Sequence, residues 1–262
     1  IKNNPMIKNL LLRRPLLLLL FCVSYLLFLL AFIPAAQILP RLPLPAGLQL
    51  QNISGTLWQG RIGDISWQKY RLHNLQWEVM FSRLWLVMPT IKLSLQDPET
   101  AIANGTISWR GDWSLTNWQV KTSAQTIQLW LSLPLPIDAN GKLTLNIEQL
   151  TFNSLKCQTL TGQLNWQQAL LQTPAGELAL GNPVAALSCR NTAFEANIQQ
   201  DSTSLHSEAA LQLNMQGQYK LQASLQPKPA LPDTLRSSLG WLGPVDNQGV
   251  IRTRYEGSLS SF

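Results

Sequence analysis

The residues of this chain most suggestive of chemistry lie in Ser54 to Trp67, SGTLWQGRIGDISW, where Gly55 and Gly60 are five apart and a base, Arg61, follows. A phosphate-binding loop reads G-x-x-x-x-G-K-[ST]: backbone N–H groups cradle the phosphates, the lysine reaches them and the hydroxyl holds magnesium. Arg61 and Ile62 stand where the lysine and the hydroxyl belong. The pattern therefore fails at both side chains that would touch a nucleotide. Ser66-Trp67-Gln68-Lys69 is S-x-x-K, and Lys121-Thr122-Ser123 resembles the K-T-G of penicillin-binding enzymes. That chemistry needs serine and lysine one helical turn apart, whereas Ile65 and Trp67 predict a strand, on which residues three apart face opposite ways. Two histidines, His73 and His206, offer no H-x-x-x-H, and the cysteines offer no C-x-x-C, so no zinc site is expected. G-x-S-x-G is absent, and Asp97 and Glu99 flank a proline turn where they are expected to be solvated. The expectation is a protein with no catalysis and no cofactor.

The elements that carry these residues read as strands from residue 48 onward. Period-two alternation runs through Leu75, Trp77, Val79 and Phe81; Ile91, Leu93 and Leu95; Ile127, Leu129 and Leu131; Leu143, Leu145 and Ile147; and Leu211, Leu213 and Met215. Asn104-Gly105 and Asn140-Gly141 predict tight hairpin turns, and Asp97-Pro98, Pro174-Ala175-Gly176 and Asn182-Pro183 predict further reversals. Short helices are predicted over Phe81 to Leu86 and after Asp233, the latter on Leu235, Leu239 and Leu242 with Gly243-Pro244 as its stop. Gly55, Gly105, Gly141, Gly162 and Gly257 are each followed by a polar and then an apolar residue, as if each opened a strand. That grammar favours a meander over a Greek key. Ten tryptophans in 262 residues are many, and most fall on apolar alternation positions, so they read as core-face and cross-strand partners; a surface for lipid, glycan or protein is the other reading.

Leu16 to Ile33 is uncharged throughout, eighteen residues or roughly 27 Å of helix, and Leu16, Phe21, Leu27 and Phe32 exemplify its apolar character. Lys8, Arg13 and Arg14 precede it and the first acid is Asp64, so residues 1–15 are expected in the cytoplasm and everything past Pro34 across the membrane. A cleaved signal peptide is the alternative, weakened by the length of the run and by Pro34 next to Ala35 and Ala36. Met6 reads as the initiator, with residues 1–5 upstream of it. The expected organisation is a basic N-terminus (1–15), a transmembrane helix (16–33), a proline-rich exit (34–47) and an all-β exported domain (48–262). That domain is expected to be a twisted or curved antiparallel meander of roughly a dozen strands. Of 20 basic residues, four precede the apolar run, leaving 16 against 14 acids and no basic stripe, which excludes nucleic acid. Cys22 falls in the apolar run; Cys157 and Cys189 lie in an oxidising compartment on this topology and are read as a disulfide, two buried thiols being the alternative.

A short basic N-terminus, one apolar helix, a proline-rich exit, S-G-T-L-W-x-G-R and L-x-W at residues 75 to 77 resemble protein N of the bacterial type II secretion system. The motif is carried by Gly55, Thr56, Leu57, Trp58 and Gly60, and the likeness extends to Cys157, Cys189 and the Tyr255, Gly257, Leu259 ending. The resemblance implies an accessory, non-catalytic inner-membrane component with its bulk in the periplasm. Its implied partners are membrane lipid and other secretion-system proteins, of the inner-membrane platform or the periplasmic secretin region. Envelope proteins of the AsmA-like or lipopolysaccharide-export-like kind share the glycine-apolar grammar, and they imply a lipid conduit instead.

Overall fold

The computed structural model describes residues 5–81, 88–131 and 137–258. Helix α1 (Pro5–Ala31) leads into α2 (Ala35–Ile38), a 3₁₀ turn (Leu39–Arg41) and a run of strands: β1 (Leu48–Gly55), β2 (Gln59–Trp67), β3 (Tyr70–Val79), β4 (Thr90–Asp97), β5 (Ala101–Arg110) and β6 (Asp112–Ser123). After α3 (Ala124–Leu131) come β7 (Asp138–Phe152), β8 (Cys157–Thr173), β9 (Gly176–Gly181), β10 (Val184–Arg190), β11 (Ala193–Asp201), β12 (Leu205–Leu213) and β13 (Gln218–Pro227). Helix α4 (Asp233–Leu239) and a 3₁₀ turn (Gly240–Leu242) precede β14 (Ile251–Ser258). The fourteen strands among the described residues form one antiparallel sheet in chain order, with only β9 off the path, and β1 and β14 do not meet, so the sheet is open.

Alternation along each strand, combined with this register, lays matching side chains across the sheet. Ile62, Leu75, Leu95, Ala103, Val120, Leu145 and Leu164 pair in succession from β2 to β8, and Ala185, Ile198, Ala209 and Ala223 continue the row to β13. The row one residue over is polar and largely uncharged: Arg61, Gln76, Ser94, Asn104, Gln119, Asn146 and Gln163. The scarcity of charge in the composition, 13% of residues, is thus the amide-rich back of the sheet. Most of the apolar row is only half-buried; the enclosed cluster is Leu178, Leu205, Leu231 and Leu235, where α4 closes over β9 and β12.

Several expectations need correction. Ile127, Leu129 and Leu131 lie in helix α3, because the Ser123 hydroxyl accepts the Thr126 N–H at 3.1 Å and caps the helix, overriding the alternation. Asn104-Gly105 and Asn140-Gly141 are not turns but lie inside β5 and β7, at register shifts. The reason is aromatic: a Cβ on Gly105 would stand 2.4 Å from the Trp118 ring, and one on Gly141 2.7 Å from Trp166 Nε1. Both indoles donate back to the glycine's own strand, Trp118 to the Thr106 carbonyl and Trp166 to the Asn140 carbonyl, each at 3.0 Å. These glycines, with Gly162 and Gly257, fall within strands, and Gly55 closes β1, so none opens a strand. Asn182-Pro183 is not a reversal: β9 and β10 run in the same direction along β8, joined where Asn182 Oδ1 accepts the Gln168 N–H. Asp97 is 2% exposed rather than solvated, since its carboxylate accepts the N–H groups of His73, Glu99 and Thr100 and so builds the β4–β5 turn.

The helix after Pro232 is present, but Asp233 is its first residue rather than its cap. Asp97-Pro98 and Pro174 to Gly176 do reverse the chain. Of the helix predicted over Phe81 to Leu86, only Phe81 lies within the described residues. Helix α1 starts before Pro15 and ends at Ala31, a longer N-terminal reach than the uncharged run alone marks out, helped by the helix formers Leu10 to Leu12. No helix among the described residues is long and apolar enough to cross a membrane. Side chains of α1 are described from Leu17 onward, and there Phe21 and Leu27, like Phe32 just beyond the helix, are exposed.

Candidate functional site

The SGTLWQG segment is the joint between α1 and the sheet. Gly55 ends β1 with φ +91° and pairs with Gly60, and a Cβ there would meet the Gln59 carbonyl oxygen at 2.5 Å, so only glycine fits this tight connection. Thr56 holds the turn: its N–H donates to the Gln59 carbonyl at 2.8 Å, while its hydroxyl oxygen accepts the N–H groups of Trp58 and Gln59. Leu57 donates its N–H to the Ile33 carbonyl at 3.0 Å, and Pro34 bridges Thr56. Trp58 donates its indole N–H to the Leu30 carbonyl at 2.8 Å, satisfying an orphan oxygen at the end of α1. The Trp58 ring packs on Phe81 with centroids 5.0 Å apart.

Gly60 lies under the ring of Trp77, whose indole N–H reaches the Leu57 carbonyl at 3.1 Å. Each motif residue therefore has a mechanical part, and the backbone amides that a phosphate would need are used within the joint. No helix follows the second glycine, which removes the nucleotide reading. Trp77 and the Leu30 and Ile33 carbonyls belong to the joint without appearing in the motif. The only advance signal was the L-x-W pattern at Leu75 and Trp77.

Cys157 and Cys189 form a disulfide, Cα to Cα 5.7 Å, between the start of β8 and the end of β10. It closes the detour through β9 at the sheet end next to α1. The histidines stand apart. His73 Nδ1 lies 2.8 Å from Asp64 Oδ1, and His206 Nδ1 lies 3.0 Å from Asp201 Oδ1, which also takes Lys228 Nζ. Hydrogen bonds from His73 and then Asn52 hold the Asp64 carboxyl below its ordinary value, and Lys228 followed by His206 does the same for Asp201. Among the described residues no group of three or more ligand-type side chains could hold a metal. Ser66 is in β2 and Lys69 is in the turn after it, so the S-x-x-K match has no helix to bring its members together. Lys8, Arg13 and Arg14 fall within α1. The joint, the disulfide and α1 are thus structural features gathered at one end of the sheet, with no array of nucleophile, base and oxyanion donors among them.

The family model described as type II secretion system (T2SS), protein N matches residues 46–254. Type II secretion system protein N of Aeromonas hydrophila is 33% identical over 243 residues, 92% of this chain and 96% of that protein. The protein of that name from Pectobacterium carotovorum is 31% identical over 237 residues, 90% and 94% of the two chains, and that of Vibrio cholerae 32% over 231 residues, 87% and 91%. No solved structure matches. With the match covering the joint and nearly all of the sheet, the chain belongs to the type II secretion system protein N family.

Proposed function

We propose that this protein is an accessory component of the type II secretion system, held in the bacterial inner membrane by the uncharged run Leu16 to Ile33, with its N-terminus cytoplasmic and its sheet in the periplasm. It acts by protein–protein contact and not by catalysis. Family membership supports the secretion role, and the uncharged run with bases before it supports the orientation. One observation carries the contact reading: the sheet is open, and beyond the Val245 bridge to Ile251 the outer side of β14 from Thr253 to Gly257 pairs with no strand among the described residues. An unpaired strand edge offers N–H and C=O groups to an incoming strand. At the other edge, α2 packs on β1 and Asn52, with φ +56°, interrupts the strand, so β14 is the better acceptor. A photocrosslinker placed at Thr253 in cells is expected to capture another secretion-system protein, and deletion of the protein is expected to leave exoproteins in the periplasm. Capture of no secretion-system neighbour sinks the edge reading.

The half-buried apolar row along one face favours a second reading, a surface for lipid chains. Lipid co-purifying with the protein, in mass spectrometry of the detergent extract, would favour this second reading. Loss of exoprotein secretion on deletion, with no such lipid, would favour the first.

A further inference from the structure

At the α1 end of the sheet, hydrogen bonds link successive turns. Trp58, bonded to α1, accepts the Val79 N–H; Met80 donates to Thr90; and Trp109 donates to the Pro89 carbonyl. Asn153, in the β7–β8 turn, donates to Asp112, which opens β6 just after the β5–β6 turn, at 2.8 Å. The tips along this edge carry large apolar groups facing solvent: Trp109 is 49% exposed, Trp113 48% and Leu155 75%. Trp109 and Trp113 pair across the β5–β6 hairpin. Trp58, Trp67, Trp77, Trp118 and Trp166 all donate their indole N–H to backbone carbonyls, whereas those of Trp109 and Trp113 have no acceptor among the described residues. The charges beside these tips are Arg110, Lys156 and Arg190 against Asp112, with Glu78 facing Lys92 and Glu256 taking Arg254 further along the rim; Asp112 is already engaged by Asn153, and Arg190 by Glu195. Exposed carboxylates of the turns and of α4, including Glu99, Glu177 and Asp233, lie at the opposite end of the sheet.

We propose that this rim rests on the surface of the bilayer, with Trp109, Trp113 and Leu155 in the headgroup region and Arg110 and Lys156 against lipid phosphates. An indole with a free N–H is amphipathic in the way the membrane interface favours, and bases next to it add attraction to anionic lipid. The proposal rests on the proposed reading of Leu16 to Ile33 as the anchor, since the joint ties Leu30 and Ile33 to this same end. Docking of the rim would hold the sheet at a fixed tilt to the membrane instead of leaving it to swing on the joint.

The test uses the full chain in vesicles of phosphatidylethanolamine and phosphatidylglycerol with bromine on the upper acyl carbons, a short-range quencher of tryptophan. The W109F/W113F variant is expected to lose part of the quenchable emission, and L155W to gain a blue-shifted, quenched component. Unchanged quenching in the first variant together with water-like emission from the second overturns the proposal. So does a photocrosslinker at Leu155 that labels a protein instead of lipid in cell envelopes. Release of the chain from the vesicles by alkaline carbonate would instead count against the anchor. Retention without rim quenching counts against the rim alone.

Discussion

A Cβ on Gly60 would stand 2.4 Å from the Trp77 ring and 2.6 Å from the Ser54 carbonyl oxygen, and neither neighbour is the free end of a flexible chain. Gly60→Ala is therefore expected to cost about 1 to 3 kcal/mol, the range of overpacked sites, read as a lowered Tm. Gly111 makes the contrast: its φ is +82°, but a Cβ there would touch nothing within 4 Å. Gly111→Ala carries only the left-handed backbone cost of about 1 kcal/mol. Asp97→Ala strands the N–H groups of His73, Glu99 and Thr100, and chemical denaturation should register a loss of about 1 to 3 kcal/mol. Asp64 and Asp201, with Asp112, Asp246 and Glu256, contribute to the response to acid. Their carboxyls hold protons less tightly when folded than when unfolded, so the unfolded chain gains more protons on acidification. Their stabilisation is present above the ordinary carboxylate value of about 4 and fades as pH falls through the lower folded values. A Tm profile from neutral to acid pH should show that fall, and the D64N/D201N variant should flatten it.

At the scale of elements, the disulfide and α3 are the parts whose removal has a readable size. The cysteines are 32 residues apart, and a loop of that length contributes about 3 to 4 kcal/mol by the chain-entropy account. C157S/C189S is expected to lower Tm accordingly, with far-ultraviolet circular dichroism unchanged at low temperature. Ser123→Ala removes the cap of α3 for about 1 kcal/mol. How legible these elements were varies with what decides them. Strands such as β4 and β7 could be read because one face meets water and the other does not, which writes itself as period two. α3 could not, since Ile127 and Leu129 alternate as a strand would, and the deciding atom is one serine hydroxyl. Asn104-Gly105 has the turn signature, but its glycine serves a tryptophan thirteen residues away, a fact that local sequence does not carry. The motif at Gly55 was legible as a family mark, yet its engagement of the Leu30 and Ile33 carbonyls depends on tertiary geometry.

For the whole molecule, the longest strands, β7 and β8, lie mid-sheet, and the edges are β1 and β14. Amide exchange is expected to be slowest in β7 and β8 and fastest in the Thr253–Gly257 part of β14, whose outer side no strand covers among the described residues. Protection of β14 on adding purified secretion-system partners would locate the contact; unchanged exchange there under saturating partner would remove the edge from consideration.

The chain-ordered meander has one more implication, for assembly in time. Apart from β9 and β10, which share β8, every strand pairs with its neighbours in sequence, so contacts close over short spans and little loop entropy opposes each step. A chain emerging N-terminus first can add hairpins one after another to a growing template, with the cystine forming only once β10 has been laid down. At each stage the newest strand is an open edge, and among the described residues β14 keeps that condition from Thr253 to Gly257.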